Sequence, residues 1–250
     1  MDLTTTHDEP LSAERVQSFV DVLGSRTAWP EVGHPGGDPY FASRRRLPLP
    51  DGPVSIESTA LAAGETGETI LAGDEFVLVL AGTIRLRQAE RELRLEAGDA
   101  GVALRGRPLE WVTDGATELL IMRCSAGGGA GAEEPVRIDV DAPLSSSNPP
   151  LAELLIGPTP ACRNHTDYRS ASGEFVCGTW DSTPYHRTLM TFRHFELMKL
   201  LEGQVTFADE SGRIGSFGAG DVVLFVQGGA ASWESRTHVK KIYATYRPAE

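Results

Sequence analysis

From Val54 onward, short apolar runs alternate with turns that carry Gly and Asp, and the alternation has the two-residue period of strands rather than the 3.6-residue period of helices. The pattern predicts strands over Val54–Leu61, Glu75–Leu80, Thr83–Arg87, Glu92–Leu95, Ala100–Leu104 and Leu119–Arg123. A second β-rich block runs from about Glu174 to Arg247 and ends on a strand at Val239–Tyr246. Helical spacing occurs once: Val16, Phe19, Val20 and Leu23 share one face, Gly24 follows as a stop, and a helix is expected over Leu11–Leu23. Residues 125–133 (SAGGGAGAE) read as a flexible connection, and residues 134–160 as irregular, Pro- and Ser-rich chain.

The two β-rich blocks repeat each other. With an offset of 121, Glu75 falls on Glu196 and Gly82 on Gly203. With one more residue, Gly98-Asp99 falls on Gly220-Asp221, Gly106 on Gly228 and Trp111 on Trp233. The extra residue belongs to the turn Asp209-Glu210-Ser211-Gly212, which stands against Gln88-Ala89-Glu90, and hairpin turns absorb such changes cheaply. So long a period excludes a solenoid and points to a duplicated domain of roughly 100 residues. The expected division is an N-terminal helical arm and loop at 1–50, a first domain at 51–124, a linker at 125–160 and a second domain at 161–250.

The spacing Glu-x6-Gly, followed by Ala-Gly-Asp and a further Gly eight positions after the first, resembles the two motifs of the cupin superfamily, G-x5-H-x-H-x3,4-E-x6-G and G-x5-P-x-G-x2-H-x3-N. The second block is similar to the cupin family that includes ureidoglycine aminohydrolase and the ethanolamine-utilisation cupin. The resemblance lies in Gly178-Thr179-Trp180-Asp181-Ser182-Thr183-Pro184, Glu196, Leu201-Glu202-Gly203, Gly220-Asp221, Ser232-Trp233-Glu234 and Lys241-Ile242-Tyr243. It implies an all-β fold of two tandem jelly-roll barrels with a short N-terminal helix, the first barrel degenerate and the two packed through sheet faces.

In cupins the motif residues His, His, Glu and a later His hold a divalent transition metal. Before Glu196 the histidine positions carry Phe192 and Met190, or Thr191 and Leu189, and the late position falls near Ala231. Before Glu75 they carry Leu71 and Thr69, or Ile70 and Glu68, with Leu109 late. Only the glutamates remain, and one carboxylate does not make a divalent site. No metal and no other cofactor is therefore expected. His194 shares a strand face with Glu196, Met198 and Leu200, so His194 and Glu196 are a candidate acid–base pair facing the second barrel's interior. Trp233, Met198, Tyr243 and Lys240 are candidate ligand-binding residues. On the last strand Lys240 shares a face with Ile242, and Lys241 with Tyr243; the inward lysine would pair with Glu196. Val77 and Val79 give the first barrel a more apolar interior, and Arg44-Arg45-Arg46 reads as solvated surface or a domain contact.

Composition narrows the function classes. The chain has 250 residues, 27 glycines and 16 prolines, which suits many short strands and turns. Its net charge of −12 argues against nucleic-acid and anionic-membrane partners. Cys124, Cys162 and Cys177 form no close pair, so neither a CxxC metal motif nor a disulfide scaffold is expected. The polar, acidic start and the lack of long apolar runs suggest a cytoplasmic protein. The expected partner is a small-molecule ligand, with a homodimer left open. Three functions stay open: a metal-free bicupin that binds or converts a small polar metabolite in its second barrel, a metal-dependent hydrolase or isomerase using Glu196 and His194, and a non-catalytic sensing protein.

Overall fold

In the computed structural model, which describes residues 17–32 and 38–249, the chain forms two jelly-roll barrels of like topology. Each barrel pairs a large sheet with a small one. The first barrel's large sheet runs, in spatial order, Val136–Arg137, Ala100–Ala103, Asp74–Ala81, Thr117–Cys124, Val54–Leu61 and Arg45–Arg46. Its small sheet runs Thr66–Ile70, Pro108–Thr113, Thr83–Gln88 and Arg91–Glu96. The second barrel repeats this with Phe19–Asp21, Val222–Phe225, Phe195–Glu202, Val239–Tyr246, Phe175–Ser182, Cys162–Arg169 and Ser145–Ser147 opposite Tyr185–Thr191, Ala230–Ser235, Gln204–Ala208 and Ile214–Gly218. The strands that contain Glu75 and Glu196 occupy equivalent places.

The large sheets are apolar on both faces because each face covers a different core. On Asp74–Ala81, Val77 and Val79 fill the first barrel while Phe76 and Leu78 enter the core shared by the two barrels. Leu197, Ile242 and Ala244 of the second barrel meet them there, whereas Met198 and Leu200 fill the second barrel. Strands buried on both sides lose the polar alternation of a half-exposed sheet, as in the run Phe76-Val77-Leu78-Val79-Leu80. Polar contacts also cross the seam: Tyr168 donates its hydroxyl to Asp74 at 2.8 Å, and Lys199 Nζ donates to the Gly98 carbonyl at 2.9 Å.

The repeated glycines have a steric cause. Gly82 and Gly203 both have φ of 79°. A Cβ there would lie 2.3 Å from the Ala116 carbonyl oxygen and 2.0 Å from that of His238. Left-handed backbone and a touching neighbour strand leave glycine as the residue that fits.

The N-terminal segment departs from the expected helix. Leu11 to Val16 lie outside the described residues. Phe19–Asp21 form a strand paired with Val223–Phe225, and the helix is a single turn, Val22–Ser25, capped by the Asp21 carboxylate on the Gly24 amide at 2.9 Å. Phe19 enters the second barrel's core and Val20 the shared core, so consecutive residues are buried on opposite faces, as a strand permits and a helix does not. The three cysteines are free and buried. No helix among the described residues is long and apolar enough to cross a membrane.

Candidate functional site

The second barrel opens on a cavity of about 400 Å³. Glu196 on strand Phe195–Glu202 and Lys241, Tyr243 and Thr245 on Val239–Tyr246 face it, as strand parity requires. Lys241 Nζ donates to Glu196 Oε1 at 2.8 Å, and His194 Nε2 lies 3.3 Å from Glu196 Oε2. The ammonium also sits 4.8 Å from the Trp180 ring centroid and 5.2 Å from that of Trp233. Trp233 is buried and stacked on Tyr185 with centroids 5.5 Å apart, its indole N–H donating to Ser235 Oγ at 3.2 Å.

Burial works to raise the Glu196 carboxyl, but the Lys241 ammonium and then His194 hold it well below the usual carboxylate range. Glu196 is therefore ionised at neutral pH, which makes it a fixed negative charge and a poor proton donor.

Of the residues singled out in the sequence, Glu196, His194, Trp233 and Tyr243 line the cavity. Met198 lies fully buried behind it, with its sulfur 3.9 Å from Lys241 Nζ. Lys240 is a correction: it shares its strand face with Ile242 and Ala244, which point into the core between the barrels, so Lys241 is the lysine of the cavity. Arg187 and Trp180 were not among the candidates, yet both line it. Arg187 stands directly opposite Trp233 on the neighbouring strand, so the repeated tryptophan was the signal that could have led to it. The segment expected to be only a linker contributes Ser147, Asn148, Pro149 and Pro150 to the cavity wall.

The first barrel is built differently around its glutamate. Arg44, expected on the solvated surface or in a domain contact, is 2% exposed. It forms a two-point pair with Glu75, Nη1 to Oε1 at 2.9 Å and Nη2 to Oε2 at 3.0 Å, and Nη1 also reaches Glu57 Oε2 at 2.8 Å. Tyr40 donates its hydroxyl to Glu75 Oε2 at 3.0 Å, and Tyr40 and Phe41 fill the barrel with Trp111. Two buried carboxylates draw the guanidinium inward, which overrides the usual preference of an arginine run for solvent. By register, Leu119 occupies the place that Lys241 has in the second barrel, and Gly67 the place of Arg187. The N-terminal arm thus supplies the first barrel's cation and fills its interior.

Among the described residues no three His, Cys, Asp or Glu side chains cluster closely enough to hold a metal ion. Each glutamate instead faces an organic cation at hydrogen-bond distance.

Burial would raise the Glu57 carboxyl, yet Arg44, with Arg123 and Arg46, outweighs it and brings it down to about 2. A lowered carboxylate contributes stability above its ordinary value of 4.5 and loses it as pH falls toward 2. About 3 kcal/mol is expected to vanish across that window. Denaturant midpoints measured at successive pH values should show this fall, and Glu57→Gln should flatten it.

Comparison with known proteins finds a family likeness in the second barrel. Residues 169–243 match the family model of the EutQ-like cupin domain. Over these residues the second barrel resembles a EutQ-like cupin domain. Across nearly the whole chain the fold is that of solved bicupins. A Pseudomonas syringae pv. tomato protein of unknown function from the DUF861 family superposes with a TM-score of 0.77 at 22% identity, over 95% of this chain and 94% of that one. The DUF861 protein YlbA from E. coli gives 0.58 at 12% identity, over 93% and 92%. Salicylate 1,2-dioxygenase from Pseudaminobacter salicylatoxidans gives 0.55 at 11% identity, over 90% and 81%. No curated protein sequence matches the chain significantly. At these identities the solved structures establish the two-barrel fold alone, so the chemistry of the second barrel rests on its own residues.

Proposed function

We propose that this bicupin binds a small polar metabolite in the EutQ-like barrel without a metal ion between protein and ligand, and that the first barrel serves as its structural partner. The observation that carries the reading is the Lys241 ammonium 2.8 Å from Glu196, beside a cavity of about 400 Å³. The first barrel's equivalent glutamate is covered by Arg44 and Tyr40. A cavity of this size is at the small end of the range for small-molecule sites, about 300–1,000 Å³. Its walls are aromatic and apolar, with a few convergent charges that would orient a ligand.

A metabolite screen by thermal shift on the full chain tests this reading. A true ligand raises the melting temperature in proportion to its occupancy and quenches or enhances tryptophan emission through Trp180 and Trp233. Both responses should weaken in Lys241→Gln. A stabilising compound recovered unchanged supports binding alone.

A second reading, metal-free conversion of the ligand, is favoured by one observation: His194 lines the cavity 3.3 Å from an ionised carboxylate that can orient its ring. In that case His194 moves the proton while Glu196 positions it. Recovery of a product, lost in His194→Ala with binding retained, would establish it.

A further inference from the structure

The charges lining the EutQ-like barrel's cavity do not cancel. Lys241 and Glu196 neutralise each other, and the remaining permanent charge on the wall is Arg187. Arg187 is 3% exposed, and no carboxylate among the described residues pairs with it. Its Nη1 donates to the carbonyls of Ala231 at 2.8 Å and Thr188 at 3.2 Å. Carbonyl dipoles hold the guanidinium in place but do not balance its charge, and a buried unpaired charge is costly to maintain.

The first barrel shows what balance looks like in this protein. There Arg44, buried to the same degree, meets both Glu75 and Glu57. At the Arg187 position that barrel carries Gly67, where a Cβ would touch the Trp111 ring at 2.9 Å. So the barrel with an open interior has gained a buried cation, and the filled barrel has none at that place. Burial pulls the Arg187 guanidinium down from its ordinary value while Tyr185 and Glu196 act the other way, and an arginine remains charged in either case.

We propose that the ligand of this pocket is a compact organic carboxylate, a monoanion whose carboxylate docks on Arg187 and whose body lies against Trp180, Phe225 and the Pro149–Pro150 segment. This rests on the binding reading above and adds the ligand's class to it. One uncompensated positive charge calls for one negative charge. The planar fork of N–H donors on arginine matches the two oxygens of a carboxylate, and the otherwise aromatic and apolar wall suits an organic body rather than a small, strongly hydrated inorganic anion.

The test is isothermal titration of the full-length protein with acetate, benzoate, benzamide, benzylamine and inorganic phosphate, with tryptophan emission as a second readout. Benzoate should bind roughly tenfold or more tightly than benzamide, its uncharged isostere. Arg187→Lys keeps the charge but loses the fork, and it should weaken benzoate while leaving benzamide unchanged. Glu196→Gln removes the competing negative charge and should tighten benzoate alone, so the inference does not depend on one variant folding. Binding of benzamide or benzylamine equal to or better than benzoate overturns the carboxylate assignment and leaves the binding reading standing. The same holds if phosphate outcompetes benzoate, or if benzoate ignores both substitutions. Absence of any response to all five probes overturns both.

Discussion

Arg44→Met is expected to lose about 3–5 kcal/mol of folding stability, the usual cost of removing one partner from a buried ion pair. Typical domains have only about 5–15 kcal/mol in total, so the variant should lie near the edge of folding. The cost comes from what stays behind. Glu75, fully buried, keeps only the Tyr40 hydroxyl, and Glu57 keeps Arg46 and Arg123. The loss of the packed guanidinium, 4.6 Å from the centroids of both Tyr40 and Phe41, adds to it. Arg44→Met/Glu75→Gln removes the stranded charge while keeping an acceptor for Tyr40, and it should recover more than half of the loss. Denaturant unfolding of the three proteins measures both numbers. A cost for Arg44→Met within the ±0.5 kcal/mol typical of surface changes would contradict the buried position of this arm.

The second large effect concerns Lys241. Lys241→Met is expected to cost about 3 kcal/mol, because it leaves Glu196 charged in a largely apolar cavity. The cost should be smaller than for Arg44, since the Glu196 side chain keeps 14% exposure and His194 as a partner. The carboxyl should also rise from its lowered value, because the Lys241 ammonium is the strongest influence holding it down. Glu196→Met/Lys241→Met replaces both charges by apolar groups of similar length and should be close to wild type in stability, as buried pairs often are when both partners go. It should also weaken the response to ligand, because the pair no longer orders the cavity wall beside Arg187. Recovered stability with weakened binding would show that the pair is kept for the ligand rather than for the fold.

The parts of this molecule that were legible in the sequence are those set by local geometry. The glycine at a left-handed turn touching a neighbouring strand cannot be replaced quietly, so Gly82 and Gly203 marked the duplication. The two-residue spacing placed His194 beside Glu196, although His194 itself lies in the bend just before strand Phe195–Glu202. Parity failed where both faces of a strand are buried. On Val239–Tyr246, Ile242 on one side and Tyr243 on the other are equally plausible core residues, so apolar pattern could not choose between Lys240 and Lys241. The same ambiguity turned Phe19 and Val20 into an apparent helix face. Arg44 was hidden for another reason. Its partner Glu75 is 31 residues away, and only the folding of the arm onto the barrel joins them. Arg187 carries no motif at all; its meaning comes from the missing counter-charge around it.

The central claim is that organic cations stand where the cupin glutamates would otherwise meet a metal. Elemental analysis of the purified full-length protein, after exposure to Mn, Fe, Ni and Zn salts and removal of the excess, tests it most directly. The account predicts far less than one metal ion per chain and no gain in melting temperature with any of the four. One tightly held ion per barrel, lost on Glu196→Gln or Glu75→Gln, would contradict it.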